Sequence, residues 1–143
     1  MPTVRRSALV ERSAEHMFDL VNDVSAYPRR FAWCDGAQMI EQSDTHMVAR
    51  LDLGVGSLRT WFTTENTLDR PHSIEMQLKD GPFKRLTGRW EFVRLADDAC
   101  KVNLSMDFEP NSRFLAPALS LGLQGLADRM VNDFVKVAES AQP

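Results

Sequence analysis

Apolar and polar residues alternate with a period of two through the middle of the chain. In one such segment Ala49, Leu51 and Leu53 share one face, and charged residues fill much of the other. The alternation recurs around residues 58–65, 74–79, 85–92 and 101–108. Because a strand places successive side chains on opposite faces, the pattern predicts an antiparallel meander with one dry face and one wet face. Turn sequences such as Asp80-Gly81-Pro82 separate the segments, and residues around 3–10 predict a first strand.

Helical periodicity follows the first predicted strand. Ser13 is placed to cap a helix, since a serine side chain can accept a hydrogen bond from a free N–H of the first turn. The apolar stripe of this helix has the spacing i, i+3, i+4 and i+7 and comprises Met17, Leu20, Val21 and Val24. Ser25 is placed to cap a second, short helix, which carries Pro28 in its first turn, where a missing N–H does no harm.

A longer helix is predicted after Pro110. Its apolar positions recur at steps of three and four residues and are Leu119, Leu123, Leu126, Met130, Phe134 and Val137. Pro117, Gly122 and Gly125 lie in its front half, so we expect a kink or break there. The rear half is predicted to be a regular amphipathic helix.

These elements predict an α+β fold of the helix-grip type, a curved antiparallel sheet wrapped around a long C-terminal helix. The dry face of the sheet and the apolar stripe of the helix must cover each other, and the two short helices then close one end. No linker, repeat or low-complexity segment interrupts the chain, so residues 1–143 are interpreted as a single domain. A cavity between helix and sheet is common in this type of fold.

The composition narrows the class of protein. A net charge of -3 argues against a protein whose whole surface serves nucleic acid, and leaves room only for a local basic patch. Cys34 and Cys100 form no CxxC pair, which suits a reducing compartment. The N-terminus has no apolar signal region, and no stretch approaches the ~20 apolar residues of a membrane span. We therefore expect a cytoplasmic protein.

Residues with catalytic or metal-binding chemistry form no recognisable site. His16, His46 and His72 are scattered without metal-ligand spacing, and no phosphate-binding loop or dinucleotide fingerprint is present. The dry faces offer Thr60 and Thr64 as polar groups, whereas a catalytic cavity needs groups that polarise a carbonyl and move a proton. The pattern predicts binding of an apolar molecule, with no catalytic residue and no metal.

Two sequence blocks resemble a known family. The first, Leu20 to Cys34, reads LVNDVSAYPRRFAWC, and the second, Asp80 to Phe92, reads DGPFKRLTGRWEF. In this order, and with MVNDF in the last helix, they resemble the START-like (START/Bet v 1-like) family of coenzyme-Q-binding proteins, in its branch of ribosome-association toxin A (RatA). The chain departs from the family pattern where an arginine replaces an aromatic residue after Pro28 and Ala32 replaces a proline. Val137 also stands near the usual place of an arginine.

The resemblance implies three functions. The first is non-enzymatic binding of ubiquinone or a related isoprenoid quinone in support of respiratory electron transport. The second is that of a toxin that binds the large ribosomal subunit, blocks subunit association and inhibits translation. The third is a polyketide cyclase or aromatase activity. We favour the first, because each CH₂ of an isoprenoid tail contributes about 0.8 kcal/mol when buried in an apolar cavity.

The candidate site residues fall into four groups. The predicted cavity lining is Leu51, Leu53, Phe62, Met76, Trp90, Leu104, Met106, Leu126, Met130 and Phe134. The predicted cavity mouth is Tyr27, Pro28, Phe31, Trp33, Pro82 and Phe83. Arg29 and Arg30 are candidates for a ribosome contact, in which arginine binds phosphate and a neighbouring exposed aromatic ring, Phe31 or Trp33, stacks on a base. The apolar segment Phe114–Leu123 is a candidate gate for peripheral contact with the inner face of the membrane.

Overall fold

The computed structural model of the protein describes residues 3–55, 58–114 and 116–140. This part of the chain forms seven strands, three α-helices and one 3-10 turn. The strands are β1 (Thr3–Val10), β2 (Cys34–Gln42), β3 (His46–Val55), β4 (Leu58–Asp69), β5 (Ser73–Asp80), β6 (Phe83–Ala96) and β7 (Ala99–Pro110). The helices are α1 (Ala14–Asn22), α2 (Tyr27–Arg30) and α3 (Ala116–Ser140), and the 3-10 turn spans Val24–Ala26.

The seven strands form one antiparallel sheet in the order β1-β7-β6-β5-β4-β3-β2. Strands β2 to β7 follow one another as a meander, and β1 joins the far edge by pairing with β7. In this register Trp90 of β6 lies opposite Leu104 of β7, and Phe62 of β4 lies opposite Leu51 of β3. The predicted meander is therefore confirmed, and these apolar positions share its dry face.

The alternation of the sequence does not indicate strand β2. This strand lies at an edge of the sheet, and its residues from Asp35 onward are half-buried or exposed. Its pairing with β3 shifts register twice, between Cys34 and Gly36 and between Met39 and Glu41. A strand that buries no continuous face, and whose pleat is interrupted by bulges, carries little period-two signal.

The turn between β5 and β6 requires glycine at one position. Gly81 has a φ of +147°, a backbone conformation that other residues rarely adopt. A Cβ atom there would also lie 3.2 Å from the Cα of Phe62. The Gly81 N–H donates a hydrogen bond to Asp80 Oδ1 at 2.9 Å, which supports the turn predicted at this place.

One of the two predicted caps at the N-terminal helices is correct. Ser13 caps α1, because its side chain accepts a hydrogen bond from the His16 N–H at 3.0 Å. Ser25 does not cap α2: it lies inside the 3-10 turn, and Ala26 stands at the capping position with helical dihedral angles. The chain enters α2 directly from the turn, without the extended residue that a side-chain cap needs. Pro28 does stand in the first turn of α2, as predicted.

The last helix runs from Ala116 to Ser140 without interruption, so of the kink or break predicted in its front half the break is absent, and a kink stays a prediction. Pro117 is the second residue of the helix, where its missing N–H would have no intrahelical partner in any case. Gly125 lies within the helix, and apart from its chain neighbours and the nearby helix backbone no described atom lies within 4 Å of the place where its Cβ would be. Helix α3 packs against α1, β1, β3, β4 and β7, and with the curved sheet it forms the predicted helix-grip.

Candidate functional site

A cavity of about 40 Å³ lies between the dry face of the sheet and α3. One buried water needs ~10–15 Å³ of such space, so there is room for roughly three waters. Most of the predicted lining residues reach this cavity: Leu51, Phe62, Met76, Trp90, Leu104, Met106, Leu126 and Met130. Ligand binding by these residues stays a prediction.

Two of the predicted lining residues are buried elsewhere. Leu53 lies opposite Cys34 in the pairing of β2 with β3. Phe134 packs among aromatic rings at one end of the domain. In their place, α1 and the 3-10 turn contribute Val21 and Val24 to the cavity wall. Both valines belong to the apolar stripe predicted for the first helix, which the fold turns toward the same space.

Four methionines, Met47, Met76, Met106 and Met130, line the cavity. A methionine side chain is unbranched and has three rotatable bonds, so it can repack around a ligand at low cost. Gly88 of β6 makes room for one of them, because a Cβ there would lie 2.5 Å from the Cε methyl of Met76. The walls can therefore change shape by rotation of side chains, without movement of the backbone.

Among the described lining residues, Tyr27, Thr64 and Asn66 carry polar side chains. The Tyr27 hydroxyl donates a hydrogen bond to the backbone carbonyl of Val21, and burial raises the pKa of the phenol far above its usual value. Asn66 is 5% exposed, and its Oδ1 atom accepts no hydrogen bond from the described residues. The phenol is neutral and already donates a hydrogen bond. Of the buried side-chain oxygens that accept no hydrogen bond from the described residues, Asn66 Oδ1 is the one that lines the cavity.

The aromatic residues expected at the cavity mouth form a packed cluster. The rings of Tyr27, Phe31 and Trp33 surround Phe134 of α3, with centroid distances of 5.4, 4.8 and 6.2 Å. These four residues, the aromatic cluster, are at most 3% exposed, so they are packed in the core, and Tyr27 also lines the cavity. Pro28 lies on the exposed side of α2. A gating role for this region stays a prediction.

Pro82 and Phe83, also expected at the mouth, stand where β6 begins. Phe83 is buried, and its ring packs edge-on at 6.3 Å from the ring of Phe62, which lines the cavity. Pro82 is half-buried, and its carbonyl accepts a hydrogen bond from the Asn111 N–H at 3.2 Å. These contacts place Phe83 behind the cavity wall.

The Trp33 indole is fixed to α3 by a hydrogen bond, in which Nε1–H donates to Asp133 Oδ2 at 2.9 Å. We expect Asp133→Ala to lower the free energy of unfolding by about 1–3 kcal/mol, because the indole N–H loses a charged acceptor while its ring stays buried. Urea unfolding measures this loss. Asn132→Ala, an exposed neighbour on α3, is the control, with an expected change within about 0.5 kcal/mol. Equally small losses in both variants would contradict a stabilising role for this hydrogen bond.

Arg29 and Arg30, the candidates for a ribosome contact, are exposed at the end of α2. Arg30 Nη1 lies 3.3 Å from Asp23 Oδ2 in a surface ion pair. Phe31 and Trp33 cannot stack on a base beside them, because both rings are buried in the aromatic cluster. The stacking part of the prediction was wrong, while the two arginines are accessible to a partner.

The predicted gate at the front of α3 presents apolar side chains on two sides. Leu119 and Leu123 are buried in the core, while Phe114 and Leu121 are 93% and 72% exposed. Leu115 lies outside the described residues. Within the described chain, no helix combines the length and the apolar character that crossing a bilayer requires. Contact of the exposed side chains with a membrane surface stays a prediction.

The described part of the chain contains no cluster of metal ligands and no reactive thiol. No three side chains of His, Cys, Asp or Glu are grouped there so that they could hold a metal ion. Cys34 and Cys100 are buried free thiols, and burial raises the pKa of the Cys34 thiol to about 11 and shifts that of Cys100 in the same direction. Since the thiolate is the reactive form, both cysteines act as small core side chains at neutral pH.

The sequence matches the family described as polyketide cyclase / dehydrase and lipid transport over residues 10–135. A Vibrio cholerae protein named ribosome association toxin RatA is 45% identical over 139 residues, which cover 97% of this chain and 96% of the relative. The chain belongs to the START-like polyketide cyclase family, in its RatA branch. The RatA of Escherichia coli K12 is 40% identical over 134 residues, or 94% of this START-like chain and 85% of the relative.

More distant proteins resemble this START-like chain in sequence or in fold. The mitochondrial coenzyme Q-binding protein COQ10 of Drosophila melanogaster is 23% identical over 135 residues, which cover 92% of this chain and 56% of the relative. The crystal structure of the Zhui aromatase/cyclase from Streptomyces sp. R1128 has a TM-score of 0.86 at 18% identity, covering 96% of this chain and 93% of that one. At such low identity the likeness shows the START-like fold alone.

Proposed function

We propose that this START-like protein is a ribosome association toxin that binds the large ribosomal subunit, blocks subunit association and inhibits translation. The support is a likeness over nearly the whole chain: the RatA of Vibrio cholerae is 45% identical over 139 residues, which cover 97% of this chain and 96% of the relative. The RatA of Escherichia coli K12 matches over a similar span.

The contact with ribosomal RNA must come from a local basic patch, because the net charge of the chain is -3. Arg29 and Arg30 supply such a patch. They are neighbours at the end of α2, and the buried Tyr27 anchors that helix in the core. A guanidinium group can bind phosphate oxygens through paired hydrogen bonds. Such binding releases counterions, so we expect the affinity to fall steeply with salt.

Sucrose-gradient sedimentation of ribosomes tests this function. We expect overproduced protein to co-sediment with the large subunit at low salt and to deplete joined ribosomes. A series of gradients at increasing salt should show progressive release, because the contact is made through phosphates. Protein that stays at the top of the gradient at every salt concentration, or an unchanged level of joined ribosomes, would overturn the proposal.

The cavity favours a second function, the binding of an apolar molecule such as ubiquinone or a related isoprenoid quinone in support of respiration. Its lining is apolar apart from three side chains, and one relative is named as a coenzyme Q-binding protein. The volume of about 40 Å³ is far below the roughly 300–1,000 Å³ of small-molecule pockets. A quinone would therefore enter only after methionine side chains have rotated away.

Native mass spectrometry of protein purified from its own host, followed by lipid extraction, tests the second function. A mass increment that matches an extracted isoprenoid quinone would support it. A ligand-free mass under gentle ionisation, with no quinone in the extract, would contradict it. This result does not test the ribosomal function, because the α2 arginines do not line the cavity.

A polyketide cyclase activity has less support in the cavity. Tyr27 is the titratable side chain among the described lining residues, and its hydroxyl already donates to the Val21 carbonyl. Cyclisation needs groups that polarise a carbonyl and accept a proton near neutral pH. A phenol whose pKa is raised by burial is a poor acid at that pH. We infer that the protein acts by binding, without catalysis.

A ribosomal partner would place the protein in the cytoplasm. Binding of a membrane-soluble quinone would add a peripheral position at the inner face of the membrane. The exposed Phe114 and Leu121 are the side chains best placed for such a contact, because they present apolar surface near the start of α3.

A further inference from the structure

Asn66 places an amide in the wall of an apolar cavity. It lies on β4 between Met47 of β3 and Met76 of β5, its cross-strand neighbours, and all three residues line the cavity. Its side chain is 5% exposed, and Oδ1 accepts no hydrogen bond from the residues that the structure describes. An oxygen in this position has a defined place in the wall and an open hydrogen-bonding site.

Side-chain oxygens that are buried without a partner are uncommon in proteins, and each one needs an explanation. Asn22 and Thr60 also carry such an oxygen, but neither residue lines the cavity. Thr64 lies two residues before Asn66 on the same face of β4 and also reaches the cavity. The polar groups of β4 are thus concentrated on one wall of an otherwise largely apolar space.

We propose that Asn66 is the polar anchor of the cavity, and that the cavity takes a compact phenol or quinol whose hydroxyl group donates a hydrogen bond to Asn66 Oδ1. The inference rests on the second function above, ligand binding, and is independent of ribosome association. A quinone carbonyl is an acceptor and cannot satisfy this oxygen, whereas the hydroxyl group of a phenol or quinol can. Within the quinone class, the Oδ1 atom therefore favours the reduced form, because only that form brings a donor to it.

The other walls suit an aromatic ring. Phe62 and Trp90 present rings to the same space, and aromatic groups pack well against each other edge-to-face or offset-stacked. The empty space of about 40 Å³ is too small for a six-membered ring at rest. Met47 and Met76, which flank Asn66, are flexible side chains, so rotation of either one enlarges the cavity beside the amide.

Two probes of nearly equal shape distinguish the contribution of the hydrogen bond to the binding affinity from the contribution of apolar burial. They are 4-propylphenol and propylbenzene, titrated into the full chain and followed by NMR shifts of the methionine methyl groups. We expect 4-propylphenol to bind about 10-fold or more tightly, since a hydrogen bond to a buried acceptor supplies about this factor. Trimethylhydroquinone and trimethylquinone form a second pair, in which we expect the same preference for the hydroxyl-bearing partner.

Asn66→Leu removes the acceptor and keeps a side chain of similar size. We expect this variant to bind both propyl probes with equal affinity. Thr60→Val removes another unpartnered oxygen of β4, at a residue that does not line the cavity, and is expected to keep the preference. Thermal unfolding checks that each variant is folded. Equal binding of the two probes by the unaltered protein would overturn the proposal, as would a preference that survives in Asn66→Leu. Binding of neither probe up to its solubility limit would also overturn it, because water alone would then satisfy the amide.

Discussion

We expect Phe134→Ala to lower the free energy of unfolding by about 3–5 kcal/mol, the range for removing a buried aromatic ring. Phe134 is 1% exposed and packs against Trp90 of β6, at a centroid distance of 5.5 Å, as well as against the aromatic cluster. It therefore joins α3 to the sheet and to the segment after α2, and the space left by its ring cannot collapse without moving several elements. Thermal unfolding should show a fall in Tm of about 10 °C or more.

Leu121→Ala is the matched control on the same helix, because Leu121 is a large apolar residue that is 72% exposed. Its expected effect is within about 0.5 kcal/mol. A loss below about 1 kcal/mol for Phe134→Ala would show that the aromatic cluster is loosely packed. A large loss for Leu121→Ala would show instead that the front of α3 is covered in solution.

The sheet and the long helix could be predicted from the sequence because each buries one continuous face. Positions such as Trp90, Leu104 and Met106 alternate with polar residues, and the pairing of β6 with β7 brings these apolar side chains to the same face. Strand β2 could not be found in this way, since an edge strand with two register shifts leaves no regular dry face. Strand β2 forms because it pairs with β3, and the pattern of residues along the chain does not show such a tertiary contact.

The residues that line the cavity could be predicted better than the packing of the aromatic residues expected at its mouth. Alternation along β4 already placed Phe62 and Thr64 inward, and the next inward position is Asn66. A polar residue on a dry face is a signal in the sequence, but the pattern of apolar positions alone does not select it. The packing of Phe31 and Trp33 around α3 could not be predicted, because ring orientation depends on how α2 and α3 meet in three dimensions.

The size of the cavity could not be predicted from the pattern of apolar residues. A dry sheet face and an apolar helix stripe are equally consistent with a filled core and with a ligand pocket. Here large side chains, including the flexible Met47, Met76 and Met130, occupy most of the space between α3 and the sheet. The structure therefore weakens the expectation of a preformed quinone pocket. The cavity has adaptable walls, in which Asn66 Oδ1 accepts no hydrogen bond from the described residues.

Reversing both charges of α2, with Arg29→Glu and Arg30→Glu together, is expected to abolish co-sedimentation with the large ribosomal subunit at low salt. Each arginine that binds a phosphate contributes close to one unit to the slope of log affinity against log salt. The double variant loses two such contacts and adds repulsion, so any residual binding should show a slope smaller by about two. The fold should hold, because both side chains are exposed and the ion pair of Arg30 with Asp23 lies at the surface.

The double variant Lys79→Glu with Lys101→Glu is the matched control for charge. Lys79 on β5 and Lys101 on β7 are exposed, and reversing them changes the net charge by the same amount without touching α2. We expect this control to co-sediment like the unaltered protein, because phosphate contacts act locally within about a Debye length of 8–10 Å. Equal loss in both double variants would show that overall charge, rather than a patch, governs the association. Normal co-sedimentation of the α2 variant would show that the ribosome contact lies elsewhere on the surface.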